Sequence, residues 1–265
     1  MIDIHNHIIF KFDDGPKSLS ESLEMLRIAA DQGITDVFAT SHFNEIIDAE
    51  MERVYFERLE ILRKECREHK INIRLHSGSE MFFHHFIHET VKKTRVATLC
   101  EQGKYILMEF PLYLMPTGVE DALYRLTMDG FIPIIAHPER YSALHSRPEK
   151  LINFVKYGGL LQVNAGSILG DFGKTTQKIA LWLLESKLVH FIGSDAHGPN
   201  GRTFKLQKAA TELKDSLDQS YIDDLVTNNP RKIIDHISLE PMPVPESPQK
   251  PRGFVQRFRD KLKFL

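Results

Sequence analysis

His5 and His7 stand two positions apart in the opening run MIDIHNHIIFKFDD, and Asp13 and Asp14 follow shortly after them. At strand period an HxH pair puts both imidazoles on one face. Two neutral imidazoles with a carboxylate close by can ligate a borderline or hard divalent ion. The competing reading is a buried strand whose histidines pair with the acids. Spacing does not separate Asp13 from Asp14 as the ligand, since neighbours in a loop can both reach.

The same residue types recur along the chain. His42 closes ATSH, Glu80 closes SGSE, Glu109 lies in MEFP, His137 opens HPER, and Asp195 and His197 lie in GSDAH. With His5, His7 and Asp14 they make five histidines and four carboxylates, and no cysteine, which excludes a soft thiolate site. One ion takes roughly four to six ligands, so this set suits two or three ions. Four carboxylates against three divalent ions leave a net charge of about +2, matched to a phosphate dianion. Arg140 follows His137, and Arg202 follows His197. A guanidinium at either place would hold the outer oxygens of a phosphate ester, the alternative for each being a surface ion pair. His84 and His85 read as the start of a helical segment. His69, His88, His145 and His236 read as surface or supporting residues on helices and loops.

Strands must present these groups. Seven strand-like runs are legible: IDIHNH, DVFATSH, IRLHSGSE, YILMEF, IPIIAHPER, LLQVNAG and VHFIGSDAH. Helical segments lie between them. SLSESLEMLRIAADQG has Ser18 or Ser20 as its N-cap and Gly33 as its stop. A long charged helix runs from about Asp48 to Lys70, and others span roughly Thr117 to Gly130, Pro148 to Gly158 and Thr175 to Lys187. Strands alternating with helices imply parallel pairing, in an open doubly wound sheet or a closed barrel. No glycine-rich phosphate loop follows a strand. Six of the seven runs carry His, Asp or Glu at or near their C-terminal ends and the other carries Asn164. Only a ring brings all those ends to one point, so the chain is expected to form an α/β fold, a distorted seven-stranded β/α barrel of TIM-like type.

Composition narrows the class. A net charge of −2 with interspersed signs argues against a nucleic-acid binder working by bulk charge. Two distant cysteines, Cys66 and Cys100, suggest no disulfide framework, and with no signal peptide or bilayer-spanning run they point to a cytoplasmic protein. From about residue 241 the chain becomes a proline-rich linker, then a basic tail with Phe254, Phe258, Leu262 and Leu265 on one helical face. That tail is either a terminus packed on its own protein or a contact for a membrane surface or partner.

The motifs resemble those of the PHP (polymerase and histidinol phosphatase) superfamily. MIDIHNHIIFKFDDGPKS, ATSH, GSE, MEFP, AHPERY, NAGS and GSDAH with Arg202 are similar, in order and spacing from Met1 to about Phe204, to the bacterial manganese-dependent protein-tyrosine phosphatases of capsule and exopolysaccharide clusters. The HxH alone points only to the superfamily; DDGPKS and AHPERY are specific to this branch. The resemblance implies a PHP metallophosphatase domain over residues 1–240 and hydrolysis of phosphotyrosine. It implies three divalent ions, Mn2+ above Fe, Zn or Mg: one at His5, His7, Glu80 and Asp195, one at Asp14, His42 and His197, and one at Glu80, Glu109 and His137, with Glu80 bridging. Arg140 and Arg202 match the substrate-side arginines. As partner it implies the tyrosine-rich tail of a bacterial tyrosine autokinase controlling polysaccharide export, and some members form ring-like homo-oligomers. The loop FNEIID after His42 is shorter than in relatives that carry basic or histidine residues there.

The expected reaction is in-line attack on phosphorus by hydroxide formed from a water bridging two ions, with both arginines neutralising charge on the phosphoryl oxygens. A cysteine-dependent route needs an arginine six positions after the cysteine, and those positions hold Asn72 and Ile106. A serine-hydrolase elbow is also missing. The alternatives are a small-molecule phosphatase acting on a compound such as histidinol phosphate, a metal-dependent nuclease, and a non-catalytic scaffold.

Overall fold

A computed structural model describes residues 1–240; the proline-rich linker and basic tail read from the sequence lie outside the described residues. Seven parallel strands pair in chain order: β1 (Ile2–Asp3), β2 (Asp36–Phe43), β3 (Arg74–Phe82), β4 (Tyr105–Glu109), β5 (Ile132–Ala136), β6 (Leu160–Asn164) and β7 (Phe191–Gly193). A parallel bridge between Asn6 and Ala196 returns the last strand to the first. There the His7 N–H donates to the Ala196 carbonyl at 2.8 Å and the Asp195 N–H to the His5 carbonyl at 2.7 Å. The sheet is therefore a nearly closed barrel, as the ring argument required. β1 and β7 are shorter than the runs that suggested them. Past the ladder, Asp195 turns out of extended geometry with φ 53°, and His5 and His7 follow β1 on backbone held by the bridge.

Ten helices surround the barrel: α1 (Leu19–Asp31), α2 (Ala49–Glu68), α3 (Ile87–Thr90), α4 (Val119–Met128), α5 (Ile152–Lys156), α6 (Ala165–Leu169), α7 (Lys174–Glu185), α8 (Leu206–Leu213), α9 (Gln219–Asp223) and α10 (Asn229–Ile234), counted among the described residues. Ser18, not Ser20, caps α1: its hydroxyl accepts from the Glu21 N–H at 3.2 Å. The segment from Pro148 opens as a 3-10 turn (Pro148–Leu151), with the proline at its first position, before α5. His84 and His85 precede α3 rather than beginning it.

Alternation along the strands sorts the residues into two layers. The outward set packs under the helices, with Val37, Ala39, Ile106, Ile135, Leu161 and Val163 in one cluster. The inward set starts apolar at the barrel floor, where Phe38, Tyr105, Leu107, Ile134, Leu160 and Phe191 pack with Ile233 of α10 and Leu239. Two residues further along β2, β4 and β6 the same face turns polar: Phe38 leads to Thr40 and His42, Leu107 to Glu109, Leu160 to Gln162 and Asn164. The apolar floor anchors the strands; their upper ends are free for chemistry. Beneath, at the start of β2, fully buried Asp36 is held by Arg74 at 2.7 Å, His76 at 2.9 Å and Arg231 at 3.2 Å.

Candidate metal centre

Register alone brings the first pair together: His42 on β2 lies directly across from Glu80 on β3. Glu80 is the hub. Its Oε2 faces His5 Nε2 at 3.2 Å, His7 Nε2 at 3.3 Å and His42 Nδ1 at 3.1 Å, and its Oε1 faces His137 Nε2 at 3.0 Å. Glu109 stands on the far side, 3.5 Å from His137 and 3.7 Å from His42. Asp195 Oδ1 lies 3.7 Å from His5, 3.6 Å from His7 and 3.5 Å from His197. Asp14 completes the outer edge, 3.6 Å from His42 and 3.3 Å from His197. All nine ligand candidates read from the sequence therefore meet at one end of the barrel. Three groups have ligand atoms within 4.8 Å of one another: His5, His7 and Glu80; His7, Asp14, His42 and His197; and His42, Glu80 and Glu109. His7, His42 and Glu80 each belong to two of these groups, and Asp195 and His137 to none of them.

The ring orientations fit a cation. His5 Nδ1 is held by the Gln162 side-chain oxygen Oε1 at 2.7 Å and His7 Nδ1 by Asp13 Oδ2 at 2.8 Å. With Nδ1 so held, each ring turns its Nε2 to the centre. His5 Nε2, His7 Nε2 and Glu80 Oε2 are buried and make no hydrogen bond. Buried acceptors facing one another in this way need a positive charge between them.

The electrostatics agree. Burial opposes charge on His5 and His7, but Glu80 and Asp195 beside His5, and Asp13 and Glu80 beside His7, outweigh it and hold their pKa values at about 9 and about 10. Burial alone would raise Glu80, yet His5, His7 and His137 hold it well below the usual carboxylate range. Burial and then Glu80 push Glu109 up to about 8. His137, buried and beside Arg140, is brought down to about 4, so it is neutral with a free lone pair. The field at the centre favours cations.

Asp13 and Asp14, equivalent in the sequence, divide their roles. Besides His7, Asp13 accepts from the backbone N–H of His42 at 3.0 Å and of Gly15 at 3.0 Å. Its oxygens are occupied in positioning, while Asp14 faces the imidazoles of the second group. Arg140 and Arg202 both reach Asp195 Oδ2, at 2.8 and 2.6 Å, where Asn164 Nδ2 also donates at 2.6 Å. They thus sit at the edge of the histidine cluster rather than in surface ion pairs.

In the supporting layer, sequence reasoning named Asn164 only as the polar end of its run and did not single out Asp3, Gln162 or Ser194. Buried Asp3, raised to about 6 by burial, accepts from Ser194 Oγ at 2.5 Å and Ser194 N at 2.8 Å, tying β1 to β7 beneath the site. Gly193 lies under the pair of His5 and Gln162; a Cβ there would stand 2.8 Å from His5 Cβ and 2.9 Å from Gln162 Nε2, so a side chain would push the imidazole off its partner. The alternation of β6, which puts Gln162 and Asn164 on the face of Leu160, was the signal available for two of the four. Of the remaining histidines, His76 faces Asp36 and His190 is buried under β7, where its Nδ1 accepts the Leu161 N–H at 3.1 Å.

Comparisons bear on the same region. The family model for capsular polysaccharide synthesis, CpsB/CapC, matches residues 1–235. A putative tyrosine-protein phosphatase CapC of Staphylococcus aureus is 37% identical over 215 residues, 81% of this chain and 84% of that protein. Tyrosine-protein phosphatase YwqE of Bacillus subtilis is 36% identical over 214 residues, with the same shares covered. A crystal structure from work on YwqE of Bacillus subtilis and CpsB of Streptococcus pneumoniae, described as unique metal-dependent tyrosine phosphatases, superposes with a TM-score of 0.85 at 33% identity, over 93% of this chain and 100% of that one. A phosphotriesterase homology protein from Escherichia coli, at 10% identity, 87% of this chain and 97% of that one, and a TM-score of 0.55, shares the fold alone.

Proposed function

The chain belongs to the capsular polysaccharide synthesis family CpsB/CapC, and we propose from that membership and the site's geometry that it is a metal-dependent tyrosine-protein phosphatase. The observation that carries the reading is the convergence of five imidazoles and four carboxylates at one end of the barrel, Glu80 at their hub, with two guanidinium groups on Asp195 Oδ2. Three divalent ions, Mn2+ in the first instance, fit the donor set: His5, His7, Glu80 and Asp195 for one, Asp14, His42 and His197 for the second, and Glu80, Glu109 and His137 for the third. When bound, such ions supply Lewis acidity and an activated water at neutral pH.

The chain's own residues do the rest. Gln162 and Asp13 fix which nitrogen of His5 and of His7 faces inward. Arg140 and Arg202 offer permanent charge and planar forks to the phosphoryl oxygens, and neither serves as a proton donor, because guanidinium does not give up its proton. The leaving phenolate, with a pKa of about 10, needs less protonation than an alkoxide.

A protein substrate, rather than a small phosphate ester, is supported by an open mouth. Asp14 is 60% exposed and His42 33%, while Glu80 at the base is 1% exposed. The loops after β2, β3 and β4 also carry the exposed apolar side chains Ile46, Phe86, Tyr113 and Leu114. A substrate tail rich in tyrosine, as on a bacterial tyrosine autokinase, suits that rim, and the proposed setting is the cytoplasm. Among the described residues no helix is long and apolar enough to cross a membrane.

The deciding experiment is phosphate release by Mn2+-loaded protein from a phosphotyrosine peptide, a phosphoserine peptide and histidinol phosphate, with and without chelator. Chelator-sensitive release from the phosphotyrosine peptide is the expected result. Preference for histidinol phosphate would overturn the substrate, and no release from any of the three would overturn the activity.

A further inference from the structure

Phe172 lies between α6 and α7, half-buried, and among the described residues it stands in neither apolar cluster. Core packing therefore does not account for it. Its ring carries the Arg140 guanidinium carbon 4.4 Å from its centroid and the Arg202 carbon at 5.9 Å. A guanidinium stacked on an aromatic face is attracted by the ring's quadrupole. It also keeps its N–H groups in its own plane, pointing sideways past the ring. Here an N–H nitrogen of each arginine reaches Asp195 Oδ2.

The loop is built to place this ring. Gly170 and Gly173 flank it with φ of 87° and 91°, conformations a side chain resists. Gly166 makes room, since a Cβ there would stand 3.0 Å from Phe172 Cε2. Asp171 pairs with Lys205 at 2.6 Å, which ties this loop to the segment that carries Arg202. Arg140 comes from the end of β5 and Arg202 from beyond β7; Asp195 accepts from both, and Phe172 is the aromatic ring that lies beside both.

Resting on the phosphatase reading above, we propose that Phe172 is a positioning residue that holds Arg140 and Arg202 as one phosphate-binding pair. Without the ring each guanidinium keeps its charge and its contact with Asp195, but loses the surface that fixes its plane. The pair would then grip phosphoryl oxygens less well, in the bound substrate and in the transition state alike.

The test compares Phe172→Leu with Phe172→Tyr in full-length, metal-loaded protein. Phe172→Leu keeps an apolar side chain without a π-face; Phe172→Tyr keeps the ring. Phe172→Leu is expected to raise KM for a phosphotyrosine peptide and to weaken competitive inhibition by inorganic phosphate by roughly 5–30-fold, with melting temperature and metal content unchanged. Phe172→Tyr is expected to stay within about twofold of wild type. In an Arg140→Ala, Arg202→Ala background, Phe172→Leu is expected to add nothing. Equal phosphate inhibition in wild type and Phe172→Leu, an equal loss in Phe172→Tyr, or full additivity with the arginine substitutions would overturn the proposal. If wild type releases no phosphate from the peptide, the activity reading fails on its own. Direct titration with inorganic phosphate then decides: weaker binding by Phe172→Leu but not Phe172→Tyr supports the role, and equal binding overturns it.

Discussion

Arg140→Ala separates a chemical role for this guanidinium from a structural one. Arg140 is 16% exposed and donates to Asp195 Oδ2 at 2.8 Å, while Arg202 and Asn164 donate to the same oxygen. Removing Arg140 therefore leaves Asp195 two donors and does not strand its charge, so the loss of stability should stay near the ~1 kcal/mol of one hydrogen bond. The loss of rate should be larger, because a preorganised cation beside charge that develops in the transition state is worth roughly 10²–10³-fold. Arg140→Lys keeps the charge without the planar fork and should recover only part of the deficit. The assay is kcat and KM on a phosphotyrosine peptide, with bound metal and melting temperature measured on the same preparation. Wild-type-like turnover in Arg140→Ala would refute the role. Loss of metal or of the folded state alongside activity would refute the separation, and would make Arg140 a structural prop for Asp195.

Three further outcomes follow from other parts of the molecule. Asp13→Asn should lower divalent-metal affinity by ~10–100-fold at alkaline pH, as loss of an outer partner of a ligand histidine does. That loss should shrink as pH falls, because Asp13 also helps to hold the competing proton on His7, whose pKa stands at about 10; competition with a chromogenic chelator at two pH values reads both, and a loss that grows in acid would contradict the reasoning. Burial opposes the charge on Asp36, but His76, Arg74 and Thr35 hold its carboxyl well below the usual range, so its contribution is present above the unfolded pKa and disappears in acid. Asp36→Asn should lower stability by about 2 kcal/mol or more at neutral pH, by denaturant titration, with the gap closing below about pH 4. Burial brings His190 down to about 4, so folding is favoured above the unfolded value of ~6.5 and loses up to ~3 kcal/mol as pH falls through that window. His190→Gln should flatten this slope, and an unchanged slope would show that other groups carry it.

The barrel was legible because its signals are local and repeated. Apolar runs of strand length, each with a polar residue at or near its end, alternate with helical segments, and the ring follows from asking how so many polar ends could meet. His42 and Glu80, unrelated in sequence, could be paired by that argument before the register was known. The layer behind them was not legible. Gln162, Asn164 and Ser194 are common core or turn residues, and what marks them is a partner more than a hundred and fifty residues away for Gln162 and Ser194, namely His5 and Asp3. Asp13 and Asp14 could not be separated because their difference lies in loop geometry, which spacing does not encode. The helices after Phe204 were passed over, although Leu206, Ala209, Ala210 and Leu213 have the i, i+3, i+4, i+7 spacing of α8. Phe172 gave no signal, because a lone phenylalanine in a glycine-flanked loop looks like any other.

The backbone shows where the fold gives way to the site. His137 and Asp195 follow β5 and β7 with φ of 32° and 53°, a region that residues with a side chain seldom occupy. Such conformations cost on the order of 1–3 kcal/mol each and persist only where the surroundings over-determine them. Both turns have a visible purpose. At His137 an extended residue would continue β5 past inward-facing Ala136 and put its side chain on the outward face. Turning at His137 points Nε2 between Glu80 and Glu109. Turning at Asp195 lets Oδ1 face three histidines while Oδ2 takes Asn164 and the two arginines. One carboxylate thereby joins the proposed metal side of the site to the phosphate side. The strain sits one residue beyond β5 and two beyond β7, above the apolar floor packed by Phe38, Leu107 and Phe191, where the ladder can offset it without being distorted itself.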